Sequence, residues 1–129
     1  ANDDLAAIRD RKREQLHSTA ETPDEPVHVT DREDFESRTA GPGVVLVDFY
    51  ADWCGPCKML EPVVETVAAE TPATVLKVDV DEHQDLARDH QVQGVPTLLF
   101  FADGELVERR VGVQDEAAIR EVVDAHASG

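Results

Sequence analysis

Hydrophobic residues along this chain fall into short continuous runs that alternate with segments in which they recur every three or four positions. The continuous runs predict strands at residues 27–29, 44–50, 74–80, 96–101 and 106–111. The segments of helical spacing predict helices at residues 30–38, 54–70 and 115–127, and a short helix that begins at residue 81. Thr30 and Glu33 have the spacing of a capping box at the start of the first of these helices.

The order of these elements predicts the topology. Strands and helices alternate up to the last two strands, so right-handed crossovers should make the first three strands parallel. The Asp103-Gly104 turn between the last two strands predicts a hairpin with an antiparallel edge. The predicted fold class is therefore α/β, with a central mixed β-sheet of about five strands flanked by helices on both faces.

The first 26 residues differ in character from the rest of the chain. Asp3 or Asp4 can cap a short helix with a thin apolar stripe, and residues 18–26 form a polar, proline-broken stretch typical of a linker. We therefore expect an N-terminal extension at residues 1–26 and a globular domain at residues 27–129. The extension is either a solubilising, lightly docked tail or a segment that helps to choose a partner.

The charge of the chain narrows the classes of partner. The 28 acidic residues against 12 Lys and Arg give a net charge of −16, which would repel the phosphates of nucleic acids and anionic membranes. Such an excess also destabilises a small domain by self-repulsion, which molar salt screens. The Asp-rich, Lys-poor composition predicts a protein from a halophilic organism, and an ordinary acidic cytosolic protein is the alternative.

The charged N-terminal segment bears on the cellular compartment of the protein. The first 16 residues carry charges throughout, without the apolar block of a secretory signal, and Ala1 is compatible with removal of an initiator Met. No run approaches the length of a membrane span. We expect a cytoplasmic protein that does not act at a membrane, and in that compartment two close cysteines usually indicate redox or metal chemistry.

Both cysteines of the chain lie in one segment, Trp53-Cys54-Gly55-Pro56-Cys57-Lys58. The strand-to-helix turn places Cys54 at a helix N-terminus, which favours its thiolate, the attacking species in disulfide exchange. Cys54 is therefore the candidate nucleophile. Cys57, one helical turn on and expected to be more buried, is the candidate resolving thiol, with Gly55 allowing close approach and Pro56 stiffening the turn.

A pair of this spacing can also be half of a zinc site. Zinc would need further ligands, and the five histidines are scattered without metal-ligand spacing. We therefore expect no metal and no cofactor other than the redox-active disulfide Cys54–Cys57.

The chain resembles the thioredoxin family over about residues 27–128. The matching residues, in family order and at family spacing, are Val47 to Lys58, Lys77, Gly94-Val95-Pro96-Thr97, the Asp103-Gly104 turn and Gly112. The resemblance implies a thioredoxin-like fold and a monomer that reduces the disulfides of target proteins. It implies recycling by thioredoxin reductase or an equivalent electron donor, and hence roles in electron transport and cell redox homeostasis.

The resemblance also assigns a role to an acid within a core strand. It places Asp48 beneath the dithiol, with Lys77 as its partner, and makes it the proton relay for Cys57. A buried acid with a pKa near neutrality suits that step. The alternative is an edge or bulge position at which Asp48 faces water.

Substrate binding is expected around Cys54. The resemblance makes Pro96 a cis-proline that leaves the Val95 backbone open to an extended substrate strand, whereas a trans edge-strand proline is the alternative. An apolar patch would then bind many partly unfolded proteins, and its members are Trp53, Gly55, Pro56, Val80, Val95, Pro96, Gly112 and Val113. Lys58 either assists near the thiols or is a solvated helix residue.

Two other functions remain to be weighed against a protein-disulfide reductase. A non-catalytic binding module is disfavoured by the intact Cys54, Cys57 and Asp48. A thiol oxidase or isomerase is disfavoured by the Gly55-Pro56 pair and by the expected cytoplasmic setting.

Overall fold

The computed structural model describes residues 22–127. The predicted N-terminal helix and most of the predicted linker lie outside these residues. Five strands form one sheet: β1 (Val27–His28), β2 (Val44–Tyr50), β3 (Thr74–Asp79), β4 (Thr97–Ala102) and β5 (Glu105–Val111). Four helices are described: α1 (Arg32–Thr39), α2 (Gly55–Glu70), α3 (Gln84–Asp89) and α4 (Glu116–Ala127).

The sheet has the order β1-β3-β2-β4-β5. β1 and β2 both pair with β3 in parallel, and β4 pairs antiparallel with β2 and with β5. The α/β class, the three parallel strands and the hairpin at the edge are all confirmed.

Apolar side chains cover both faces of the sheet. On one face, Leu60 and Val64 of α2 and Ile119 of α4 pack against Leu46. On the other face, residues of α1 and α3 join the core, including Phe35 and Leu86. The prediction of helices on both faces is confirmed, and no helix within residues 22–127 is long and apolar enough to span a membrane.

Two helix starts differ from the sequence prediction. The predicted capping box of Thr30 and Glu33 is wrong, because Asp31 is the N-cap and its carboxylate accepts the Asp34 backbone N–H at 2.7 Å. The Asp34 carboxylate in turn accepts the N–H of Thr30, the residue before the N-cap, at 3.0 Å, so the helix start lies one residue later than expected.

The second difference concerns α3, which begins at Gln84 and not at Asp81. The carboxylate of Asp79 accepts the backbone N–H groups of Asp81 and Glu82 at 2.8 and 3.4 Å. The Asp79 carbonyl also accepts the His83 N–H at 2.9 Å, so these residues close a separate turn before α3 begins.

Candidate active site

The two cysteines lie where β2 leads into α2. They form a disulfide with 5.3 Å between their Cα atoms. Cys54 is the N-cap of α2, with Pro56 in its first turn, and its sulfur accepts the backbone N–H of Cys57 at 3.1 Å. A helix N-terminus presents unpaired N–H groups and a partial positive charge, so this position stabilises negative charge on Cys54 when the disulfide is open.

Burial does not distinguish the two cysteine residues. Cys54 and Cys57 are each 4% exposed, so the expectation that Cys57 is the more buried of the pair is wrong. Both pack with Ala51 and with the partly buried side chains of Tyr50, Val80 and Val95. What separates the cysteines is their place in the helix, because Cys54 caps it and Cys57 lies within its first turn.

Asp48 lies on the sheet face that α2 covers. Its strand neighbours Leu46 and Val44 face the core beneath α2, and alternation along a strand turns Asp48 the same way. The side chain is 1% exposed, and neither carboxylate oxygen has a hydrogen-bond partner among residues 22–127. The alternative in which Asp48 faces water at an edge or bulge is excluded, since β2 is flanked by β3 and β4.

Burial and two neighbouring charges together set the pKa of Asp48. Burial raises the pKa of its carboxyl from 3.8 to about 7; the Lys77 ammonium opposes that rise and the Glu61 carboxylate adds to it. A carboxyl with a pKa near neutrality can both accept and release a proton at physiological pH.

Lys77 has a different direct partner from the one that the resemblance implied. It lies opposite Asp48 in the register of β2 and β3, but its ammonium donates to the Glu61 carboxylate at 3.0 Å. The same ammonium lies 4.3 Å from the centre of the Tyr50 ring, a cation–π contact. The structure thus brings Lys77 next to Asp48 without a hydrogen bond between them.

A small polar cleft lies beside Cys57. Its volume is about 50 Å³, and its walls include Cys57, Lys58, Glu61 and Lys77. That volume suits one or more waters. Lys58 is exposed on the rim, and its ammonium donates to the Asp52 carbonyl at 2.7 Å. Glu61 is a site residue that the sequence analysis missed.

A second, apolar groove of about 120 Å³ is lined in part by Val80 and Val95, which pack against the cysteines. Trp53, Val80 and Val95 line it as expected, together with Val92, Gln93 and Gly94. The Trp53 ring is 70% exposed, and its indole N–H donates to the Asp81 carboxylate at 2.9 Å. The ring is therefore oriented although most of its surface faces solvent.

The loop before β4 contacts the disulfide. The Val95–Pro96 peptide bond is cis, and the Val95 carbonyl oxygen lies 3.6 Å from the Cys54 sulfur. The Gly112 N–H donates to the Pro96 carbonyl at 2.8 Å, which brings Gly112 to the site, and its φ of +91° favours glycine. Gly55 and Pro56 are exposed beside the disulfide, and Val113 is exposed beyond the groove.

Within residues 22–127, no group of three or more His, Cys, Asp or Glu side chains is arranged to hold a metal ion. The redox centre is the Cys54–Cys57 disulfide. A disulfide at a helix N-terminus, beside a buried acid and an open groove, defines a dithiol–disulfide oxidoreductase.

Comparison with known proteins gives the family. A family model described as Thioredoxin matches residues 26–125. A thioredoxin of Staphylococcus aureus is 49% identical over 102 residues, which are 78% of this chain and 96% of that protein. The chain belongs to the thioredoxin family, and it is an enzyme that exchanges dithiols and disulfides through Cys54 and Cys57.

Solved structures agree with this assignment. A mutant thioredoxin from Halobacterium salinarum NRC-1 is 55% identical, with a TM-score of 0.79 over 82% of this chain and 94% of that chain. A second structure, described as concerning the thiol-resolving mechanism of a yeast mitochondrial 1-Cys peroxiredoxin via glutathione/thioredoxin systems, is 29% identical. Its TM-score is 0.70 over 77% of this chain and 93% of that chain.

Proposed function

We propose that the chain works as a reductant of protein disulfides, with Cys54 as the nucleophile and Cys57 as the resolving thiol. The observation that carries this assignment is the capping geometry, in which the Cys54 sulfur accepts the Cys57 N–H at the start of α2. Reduction of insulin disulfides by the fully reduced chain tests it. An inactive reduced chain would contradict the proposal and favour a non-catalytic binding module.

The exchange has two steps in this assignment. The Cys54 thiolate attacks a target disulfide, forms a mixed disulfide and releases the first target sulfur. Cys57 then loses its proton, with Asp48 as the acceptor, and attacks the Cys54 sulfur. The second target sulfur leaves with its electron pair and takes up a proton, and Cys54–Cys57 is left oxidised.

Target proteins dock, in this proposal, along the apolar groove and the Val95 backbone. The exposed Trp53, Gly55 and Pro56 support this choice, because they offer an extended segment a surface next to the buried disulfide. Val80, Pro96, Gly112 and Val113 complete the proposed substrate surface. Loose apolar contacts suit many targets, and they impose little sequence preference.

An electron donor must return Cys54–Cys57 to the dithiol after each cycle. We propose thioredoxin reductase or an equivalent donor for a monomeric, cytoplasmic chain, and we expect recycling when the organism's own reductase and its reductant are supplied. Failure of every endogenous reductase to reduce the Cys54–Cys57 disulfide would contradict this part of the proposal.

The setting proposed for the protein is the salty cytoplasm of a halophile. The net charge of −16 supports it, as does the 55% identity to a Halobacterium salinarum thioredoxin. Residues 27–129 form the proposed domain and residues 1–26 an extension to it. Deleting residues 1–26 should leave insulin reduction unchanged, and loss of folding in the deletion variant would contradict these boundaries.

A further inference from the structure

The buried ammonium of Lys77 has two carboxylates within its reach. Lys77 is 5% exposed, and a cation removed from water to this extent needs a charged partner. Asp48 faces it across the β2–β3 register, and Glu61 approaches from α2. The ammonium is bound to Glu61, while both oxygens of Asp48 are without a hydrogen bond in the described residues.

Glu61 connects this pair to the cysteines and to solvent. It follows Cys57 by four residues in α2, so both lie on the same side of the helix. Glu61 and Lys77 share the walls of the polar cleft with Cys57, and the Glu61 side chain is 49% exposed. The contact of the ammonium with the Tyr50 ring gives it a second support on the cleft side.

We propose that Glu61 is a positioning residue for proton transfer: it holds the Lys77 ammonium in the cleft and thereby keeps Asp48 free to take and return the Cys57 proton. The inference deepens the proposed function and rests on the relay role assigned there to Asp48.

The proton balance of the resolving step explains why this matters. The Cys57 S–H bond breaks, the Asp48 carboxylate takes the proton, and the Cys57 electron pair forms the new bond to the Cys54 sulfur. The bond from Cys54 to the target sulfur breaks, and the target thiolate takes a proton from Asp48 or from water in the cleft. A carboxylate bound directly to an ammonium is a weaker base and would accept the Cys57 proton less readily.

Both effects of Glu61 on Asp48 have the same sign. Its negative charge raises the Asp48 pKa. Its hydrogen bond holds the Lys77 ammonium, which already lowers that pKa from where it lies, and keeps it from bonding to Asp48 and lowering the pKa further. The titratable groups that interact with Asp48 are Lys77 from β3, Glu61 from α2 and Tyr50 from β2 itself. β4 presents Leu98 at the paired position, and α4 contributes apolar side chains to this core.

Carboxyl NMR of the reduced protein, with the Asp48 signal followed across pH, tests the proposal in Glu61→Gln. The Asp48 titration midpoint should fall by about one pH unit, since an ammonium moving close to a carboxylate shifts it by that much or more. The pH profile of kcat/KM for insulin reduction should shift in the same direction. Glu65→Gln is the matched control, because Glu65 lies exposed one turn further along α2, and it should leave the midpoint in place.

A double-mutant cycle separates the effect of Glu61 through the position of Lys77 from the direct effect of the Glu61 charge on Asp48. In a Lys77→Met background, Glu61→Gln should shift the midpoint by less than half as much as in the parent. An undiminished shift, or no shift in Glu61→Gln alone, would overturn the positioning role. If Asp48→Asn reduced insulin at the parent rate, the relay role of Asp48 would be excluded. The effect of Glu61→Gln on the Asp48 titration midpoint would still stand, so failure of the relay role can be told apart from failure of the positioning role.

Discussion

The sulfur of Cys54 accepts a hydrogen bond from the backbone N–H of Cys57, with 3.1 Å between the two atoms. The relationship is not symmetric, since Cys54 caps α2 and Cys57 belongs to its first turn. Negative charge is therefore favoured at one sulfur more than at the other. This asymmetry distinguishes the two thiols although both are equally buried.

Replacing each cysteine by serine should have different effects on covalent capture. In Cys57→Ser the Cys54 thiolate should attack target disulfides and remain attached, because the resolving thiol is missing. Cys54→Ser should capture none. Non-reducing gels followed by mass spectrometry of the trapped complexes measure the difference. Equal trapping by the two variants would exclude the assignment of nucleophile and resolving thiol.

Asp48→Asn should raise stability at neutral pH and slow the reductase. The pKa of Asp48 is raised from 3.8 to about 7 in the fold, so between these values the folded state keeps a proton that the unfolded chain has lost. The unfolding free energy of the parent therefore falls as pH rises through this window, by on the order of 4 kcal/mol, and is level above it.

Asparagine does not titrate, so the unfolding free energy of Asp48→Asn should not show this fall as pH rises. Urea denaturation at about pH 4, 6 and 8 should show the stability gap between variant and parent widening in favour of the variant as pH rises. Other acids titrate alike in both proteins and cancel in the difference. A gap independent of pH would show that Asp48 does not titrate in this window.

Trp53→Ala should weaken target reduction with little effect on folding. The ring is 70% exposed, so its loss should change the free energy of unfolding by only about 0.5 kcal/mol. For insulin we expect kcat/KM to fall about tenfold, as for loss of an aromatic anchor at an interface. Reduction of a small aromatic disulfide should be nearly unchanged. Met59→Ala, at an equally exposed position outside the groove, is the control, and an equal loss in both variants would count against a specific role of Trp53.

Salt should stabilise the protein. With a net charge of −16, the compact state is opposed by self-repulsion, and the screening length falls to roughly 3 Å at about 1 M salt. The thermal midpoint should therefore rise between dilute buffer and molar KCl. A midpoint that stays flat over this range would refute the halophilic interpretation and favour an ordinary acidic protein.

The strands and the main helix were predictable because their local patterns agree with the tertiary structure. The apolar run of β2 is buried on both faces, as its composition indicates. The starts of α1 and α3 were not predictable in the same way. Several acids compete there for the same N–H groups, and the choice of Asp31 over Thr30, or of a turn at Asp79, depends on side-chain geometry.

Within the candidate site, the sequence pattern predicted the cysteine pair and a core-strand position for Asp48, and the family resemblance implied the cis bond before Pro96. It did not predict the partner of Lys77. The four-residue spacing between Cys57 and Glu61 was a usable signal, because it places a carboxylate on the cysteine side of α2. The Lys77 ammonium binds Glu61 and not Asp48 because of contacts between β2, β3 and α2. No local sequence pattern contains that information.

The two outer strands of the sheet determine whether another chain can extend the sheet at its edges. β1 has only two residues, and β5 carries Glu105, Glu108, Arg109 and Arg110 among its seven. Short or charged borders of this kind make poor templates for a further strand. Addition of a further strand is therefore disfavoured at both edges of the sheet, which limits association of the protein with other chains, or with its own copies, through backbone pairing.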